Sequence, residues 1–185
     1  FITEQKEHFI VKSPRYCSAE QITYIQQYFN EAEEAILSKD GMHPRTGISY
    51  EEYIDVDSFI DWWFVQELSG NEESKHPKSV YMYKDKGGKL TMGPAWDYDW
   101  KTFRPHTEFK SNKHLYYDRL FQDPEFKARV KERWNLFRSA FLTIPDYIDA
   151  EADTIRNSEV MNHALWPITQ NTNGDINLTF DEAVA

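Results

Sequence analysis

The sequence predicts an α+β fold, mainly helical, with several helices and a small β-hairpin. Three observations predict it. Apolar residues recur at helical spacing in segments that open on helix-capping residues. One run, Ser79 to Lys84, alternates in strand fashion, and a Gly-containing turn and a second short run follow it. The chain has 185 residues, enough for one domain, or most of one, with a sizeable core.

Phe1 to Val11 mixes apolar and charged residues and reads as an extended arrival, broken at Ser13-Pro14. Ser18-Ala19-Glu20-Gln21 reads as a capping box. The helix it opens carries Ile22, Ile25, Phe29, Ala32 and Ile36 at helical spacing and should end near Gly41. Glu31, Glu33 and Glu34 lie mostly off that stripe and read as a solvated face. His43 to Gly47 is loop. A second helix starts around Asp55 or Asp57 and runs to Leu68, with Gly70 as its stop. Its apolar face holds Val56, Phe59, Ile60, Trp63, Phe64 and Leu68, and Glu67 falls on the same face. A carboxylate there needs a partner, since an unpaired charge is costly to bury. Two roles stay open for Glu67: a structural hydrogen bond, or orientation of a site.

Asn71 to Lys78 is a polar loop. Ser79 to Lys84 is a strand, Asp85 to Gly88 the turn, and Lys89 to Met92 the return strand. Pairing these strands brings Asn71 and Glu73 toward Asp97 and Asp99. Lys101 to Lys113 is irregular, and His106 and His114 lack metal-ligand spacing. Asp123-Pro124-Glu125 opens a helix with Phe126, Val130, Trp134, Phe137 and Phe141 as its stripe. Its basic residues Lys127, Arg129, Lys131, Arg133 and Arg138 read as solvated. One more helix follows Pro145 with Ile148, Ala152 and Ile155, and another carries Val160, Met161, Ala164 and Leu165. Thr179-Phe180-Asp181-Glu182 is a further capping box.

Composition narrows the function. Aromatic residues make up 16% of the chain, so the core should rest on Trp, Tyr and Phe. A formal net charge of −10 argues against a nucleic-acid partner, which would require a basic face. No apolar run approaches the roughly 18–20 residues that span a bilayer. The single cysteine, Cys17, excludes an internal disulfide and reads as a small apolar residue. Oligomeric state is not readable.

The candidate site centres on Gly93-Pro94-Ala95-Trp96-Asp97-Tyr98-Asp99-Trp100. In an extended stretch Asp97 and Asp99 point one way and Trp96, Tyr98 and Trp100 the other. Paired carboxylates on an aromatic-backed ridge suit a hard divalent cation, which takes oxygen ligands. The same residues also suit a polar loop whose acids cap turns.

Several motifs together resemble one family. They are Ile54 to Asp61, Gln66-Glu67-Leu68-Ser69-Gly70-Asn71, Ser79 to Asp85, and Gly88 to Trp100. Leu120 to Phe126, Arg133-Trp134 and Trp166-Pro167 add to them. The chain resembles the CotH kinase family, named for spore-coat protein H, and its Gly93–Trp100 stretch looks most like secreted or cell-surface members of the Bacteroidetes type. The resemblance implies a reduced, atypical kinase fold, of which residues 1–185 would be the C-terminal portion, cut at both ends and inactive alone. It implies phosphoryl transfer from ATP to Ser or Thr hydroxyls of a protein substrate, with Mg2+ or Mn2+. On that match Asp97 binds the metal with Asp99 beside it, Asp97 and Glu73 are the catalytic acids, and Glu67, Asn71 and Ser79 support the site. This sequence departs from the pattern at Glu73, where relatives carry Asp, and at Ser79, where they often carry Asn. No Gly-rich loop precedes Ser18. A degenerate surface scaffold or glycan-associated module is the alternative.

Overall fold

The computed structural model describes residues 1–71, 79–98, 102–104, 106–113, 115–167 and 178–184. They divide into two compact units, Phe1–Arg129 and Val130–Ala185. The class is the one expected, mainly helical with one small antiparallel hairpin.

In the first unit, helix α1 spans Ala19–Leu37 and opens on the capping box as read. Ser18 accepts the Gln21 N–H, and the Gln21 side chain accepts the Ser18 N–H at 2.8 Å. The chain before it is not an extended arrival. Phe1 to Phe9 turns back on itself, with Ile2 bridged to His8. Phe1 and Phe9 stack 5.4 Å apart, and Phe9 packs 4.4 Å from Phe29 of α1.

The acidic face of α1 needs correction. Glu33 is 0% exposed, and its Oε1 accepts the Tyr116 hydroxyl at 2.7 Å. Sequence spacing put it off the stripe because its burying partners, Thr3 and Tyr116, arrive from distant parts of the chain. Burial pushes its carboxyl above the ordinary value, against the lowering effect of Tyr116 and Thr3. Glu34 pairs with Arg45 at 3.1 Å, so only part of the predicted face is free in water.

Helix α2 spans Val56–Ser69, capped by the Asp55 side chain on the Ser58 N–H at 3.2 Å. Val56, Phe59, Ile60, Trp63 and Phe64 are buried as predicted, whereas Leu68 is exposed and Trp62 is buried. Trp62 stacks on Tyr117 at 5.8 Å, and the Tyr117 hydroxyl donates to the Phe59 carbonyl at 2.8 Å. Phe121 joins Trp63 at 4.8 Å and Phe126 at 5.3 Å. The core is thus aromatic, as composition suggested. Tyr117 belongs to a short helix, α3 (Tyr117–Leu120), that sequence spacing did not show.

The hairpin is short. Strands β1 (Met82–Tyr83) and β2 (Thr91–Met92) pair antiparallel, Met82 opposite Met92 and Tyr83 opposite Thr91. It docks on the start of α2: Leu90 takes up a parallel bridge with Ile54, and the Met92 N–H donates to the Ser58 hydroxyl at 3.1 Å. Helix α4 spans Pro124–Phe141, with Asp123 accepting the Glu125 N–H at 2.9 Å as its first-turn sequence implied. Of its predicted stripe, Phe126 is buried and Trp134 is exposed.

In the second unit the two helices expected after Pro145 are one, α5 (Ile144–Leu165). No Gly or Pro interrupts residues 146 to 165, so nothing breaks the helical hydrogen bonds between the two apolar groups. Ala152 is buried, but Ile148 and Ile155 are exposed. Helix α6 (Phe180–Val184) carries its capping box, with Glu182 accepting the Thr179 N–H at 2.7 Å.

Glu33 makes stability pH-dependent in a defined direction. A carboxyl with a raised folded pKa contributes fully below its unfolded value, and that contribution is lost as pH rises through the folded value. From its ordinary 4.5 upward, ionised Glu33 therefore weakens the folded state. Glu33→Gln should melt higher than the parent chain at pH 7.5, with the gap closing as pH falls toward 4.5. Calorimetric scans across that range check it; a gap independent of pH would contradict the assignment.

Candidate functional site

The site is assembled at the C-terminus of α2. Gly70 ends that helix in the left-handed region at φ +61, and its N–H and that of Asn71 cap the last carbonyls, Asn71 N–H to Gln66 O at 3.0 Å. Glycine is required there twice over. Its backbone is left-handed, and a Cβ would sit 2.8 Å from Nδ1 of His106. The turn leaves Gln66 and Asn71 each 2% exposed, with Glu67 and Ser69 also buried. Three polar side chains in the last helical turn and Asn71 just past its cap are thus withdrawn from water, and each needs a partner.

Ser69 donates within the helix, to the Val65 carbonyl at 2.7 Å, and the other three find partners in two later segments. The Glu67 carboxylate accepts the backbone N–H groups of Lys110 at 2.7 Å and Ser111 at 2.5 Å. Its carbonyl meets Nε2 of His106 at 2.9 Å, and His106 Nδ1 meets the Arg104 carbonyl at 3.0 Å. Glu67 therefore holds the 106–111 segment against α2, the first of the two roles open to it. His106 takes a loop role, as its isolation in the sequence suggested. The Gln66 amide donates to the Tyr98 hydroxyl at 2.6 Å, and the Asn71 side chain is a second partner of that hydroxyl. Burial pushes the Tyr98 phenol up.

The hairpin delivers the acidic ridge to the same place. The Gly93 N–H donates to the Tyr81 carbonyl at 2.9 Å, extending the pairing beyond β2. Ser79 then donates its hydroxyl to Asp97 Oδ2 at 2.6 Å. Residues just before β1 and just after β2 do meet. Both Ser79, at φ +59, and Asp97, at φ +70, are left-handed.

That backbone changes the ridge from the extended form expected. A left-handed residue breaks the strict alternation of a strand. Trp96 is 60% exposed and meets Tyr81 edge-on at 6.5 Å instead of lying under the acids. Of the ridge aromatics among the described residues, Tyr98 turns inward, to Gln66. Glu73, Asp99, Trp100 and His114 lie outside the described residues. Among the described residues no three His, Cys, Asp or Glu side chains gather as a metal cage.

Of the predicted site residues, Ser79 and Asp97 are in direct contact, and Asn71 reaches the ridge through Tyr98. Gln66 and Tyr98 were not foreseen. Gln66 and Tyr98 both stand in stretches that resemble the family, but nothing in an amide or a phenol marks the two as partners.

Gly70→Ala should cost about 2 kcal/mol from the left-handed backbone alone, with the His106 clash added. Urea denaturation of Gly70→Ala, His106→Ala and the double variant checks this. The double variant should be more stable than the sum of the single losses, because removing the imidazole frees the space a Cβ needs.

A family model described as CotH kinase protein matches residues 4–179. No curated protein and no solved structure matches the chain.

Proposed function

The chain belongs to the CotH kinase family, and from that membership we propose that it carries the metal-holding and proton-accepting side of an atypical protein kinase. The reaction is transfer of a phosphoryl group from ATP to Ser or Thr hydroxyls of a protein substrate. Asp97 and Asp99 would hold Mg2+ or Mn2+, and Glu73 would accept the proton of the attacking hydroxyl. The observation that supports this best is the closure of the hairpin by Ser79 and Asp97, with Tyr98 reaching Asn71. Asn71 and Asp97, distant in sequence and each in a stretch that resembles the family, are linked there through Ser79 and Tyr98 to neighbouring segments.

The donors present suit such a cation. Mg2+ keeps several of its waters and takes only one or two carboxylates, so a cage of three acidic residues is not required. Asp97 is a hard oxygen donor whose rotamer Ser79 fixes in advance. When bound, the cation with ATP supplies neutralisation of phosphate charge. The protein's own share is to position the carboxylates and accept one proton. Glu at position 73 reaches about one methylene further than the Asp of relatives, and misplacement by about 1 Å can cost roughly 10²-fold in rate. A secreted or cell-surface location accompanies the family reading. No helix among the described residues is long and apolar enough to cross a membrane.

One observation favours a second reading, a non-catalytic module. The Ser79 hydroxyl already engages the Asp97 carboxylate, as it would in a purely structural turn. Thermal shift separates the two. At a metal concentration of about 100 Kd, linkage stabilises by about 2.7 kcal/mol, worth roughly 5–10 °C at this chain length. Mn2+ should give that rise, ATP should add to it, and Asp97→Ala should abolish both. Absence of any rise with Mn2+ and ATP, or a rise retained in Asp97→Ala, would overturn the assignment. A response to Ca2+ alone with no ATP effect would select the module.

A further inference from the structure

Tyr98 lies between the two acids of the ridge, yet its side chain belongs to the opposite wall. Its hydroxyl accepts from the Gln66 amide at 2.6 Å and has the Asn71 side chain as second partner. Both amides are 2% exposed. A phenol oxygen can accept one hydrogen bond and donate another, so one hydroxyl can serve both. Its main chain is held as well, because the Thr102 hydroxyl donates to the Tyr98 carbonyl. One residue before Tyr98, the Asp97 carboxylate is pinned by Ser79. Tyr98 is therefore held at its carbonyl and at its hydroxyl, and it links the ridge to the end of α2.

We infer that Tyr98 is the positioning residue of this site, a strut whose hydroxyl sets the placement of Asn71 relative to the Asp97 carboxylate. The inference rests on the kinase reading for its functional consequence, but the strut itself is a property of the metal-free protein. Other bonds hold the same segments together. The Phe103 N–H donates to the Ser69 carbonyl at 2.6 Å, and Glu67 anchors Lys110 and Ser111. Tyr98→Phe keeps the ring and these bonds, so it removes the strut without removing the fold. It takes one hydrogen bond from each of two buried amides.

NMR of the isotope-labelled 185-residue chain and its Tyr98→Phe variant tests the inference with Mn2+ alone as probe. In the metal-free proteins, exchange of the Asn71 and Gln66 side-chain amides should accelerate roughly two- to tenfold in Tyr98→Phe, the factor of one lost hydrogen bond. Amides elsewhere should be unchanged. With Mn2+, affinity should stay within about twofold, because the Asp97 carboxylate is untouched, while paramagnetic broadening at the Asn71 amide changes as its distance from the ridge is released. Unchanged Asn71 exchange overturns the strut. A uniform acceleration across the chain with a lowered melting temperature overturns it too, since that is the mark of a merely structural tyrosine. Altered exchange with unaltered broadening overturns the claim that Tyr98 sets distance. Absence of Mn2+ broadening in the parent chain refutes the kinase reading instead, and the exchange data then decide the strut by themselves.

Discussion

Burial of polar side chains in the last turn of α2 is the constraint on which the site depends. Gln66, Glu67, Ser69 and Asn71 are all withdrawn from water. A buried polar group without a partner costs more than a made hydrogen bond gains. Ser69 is satisfied within the helix, and the chain satisfies the other three by bringing later segments back to the helix end. Glu67 takes two backbone N–H groups of Lys110 and Ser111, and Gln66 with Asn71 takes the Tyr98 hydroxyl. Loops that would otherwise have little to hold them are thereby referred to one rigid element. Gly70 is the hinge of this arrangement, since only glycine passes under His106 in the left-handed conformation.

Much of this frame was legible because it is local. A capping box, a helix stopped by glycine and a hairpin with a glycine turn are each written within a few residues. The hairpin also carries its flanking residues together: the reading put Asn71 and Glu73 beside Asp97 and Asp99, and the residue that meets Asp97 is Ser79, while Glu73 and Asp99 lie outside the described residues. Glu33 was not legible for the opposite reason. Its burial is decided by Thr3 and Tyr116, and no spacing within α1 announces a partner that distant. The single helix α5 was split in expectation because two apolar clusters were read as two elements, although backbone continuity needs only the absence of a breaker.

In the site, the acids and Asn71 were legible by motif, and the partnership of Gln66 with Tyr98 was not. Asp97 stood out because carboxylates beside tryptophans are chemically unusual. Tyr98 was counted as mere aromatic backing, and strict alternation suggested equal roles for Trp96 and Tyr98. The positive φ at Asp97 separates them, leaving one in solvent and turning the other inward. Local backbone conformation, not side-chain chemistry, was the missing information.

That conformation also bears on how this chain departs from its family. Asn and Asp are several-fold enriched among residues with positive φ, because their short polar side chains bond locally. Asp97 fits that preference at φ +70, and Ser79 at φ +59 does so less well. The Asn that the family resemblance implies at this position would meet the same backbone demand with less strain. Serine offsets part of its cost with a hydroxyl bond to a carboxylate, a charge-assisted contact stronger than a neutral one. The substitution thus exchanges backbone ease for a tighter hold on Asp97. A rotamer fixed by Ser79 is compatible with the cation-holding role proposed for Asp97.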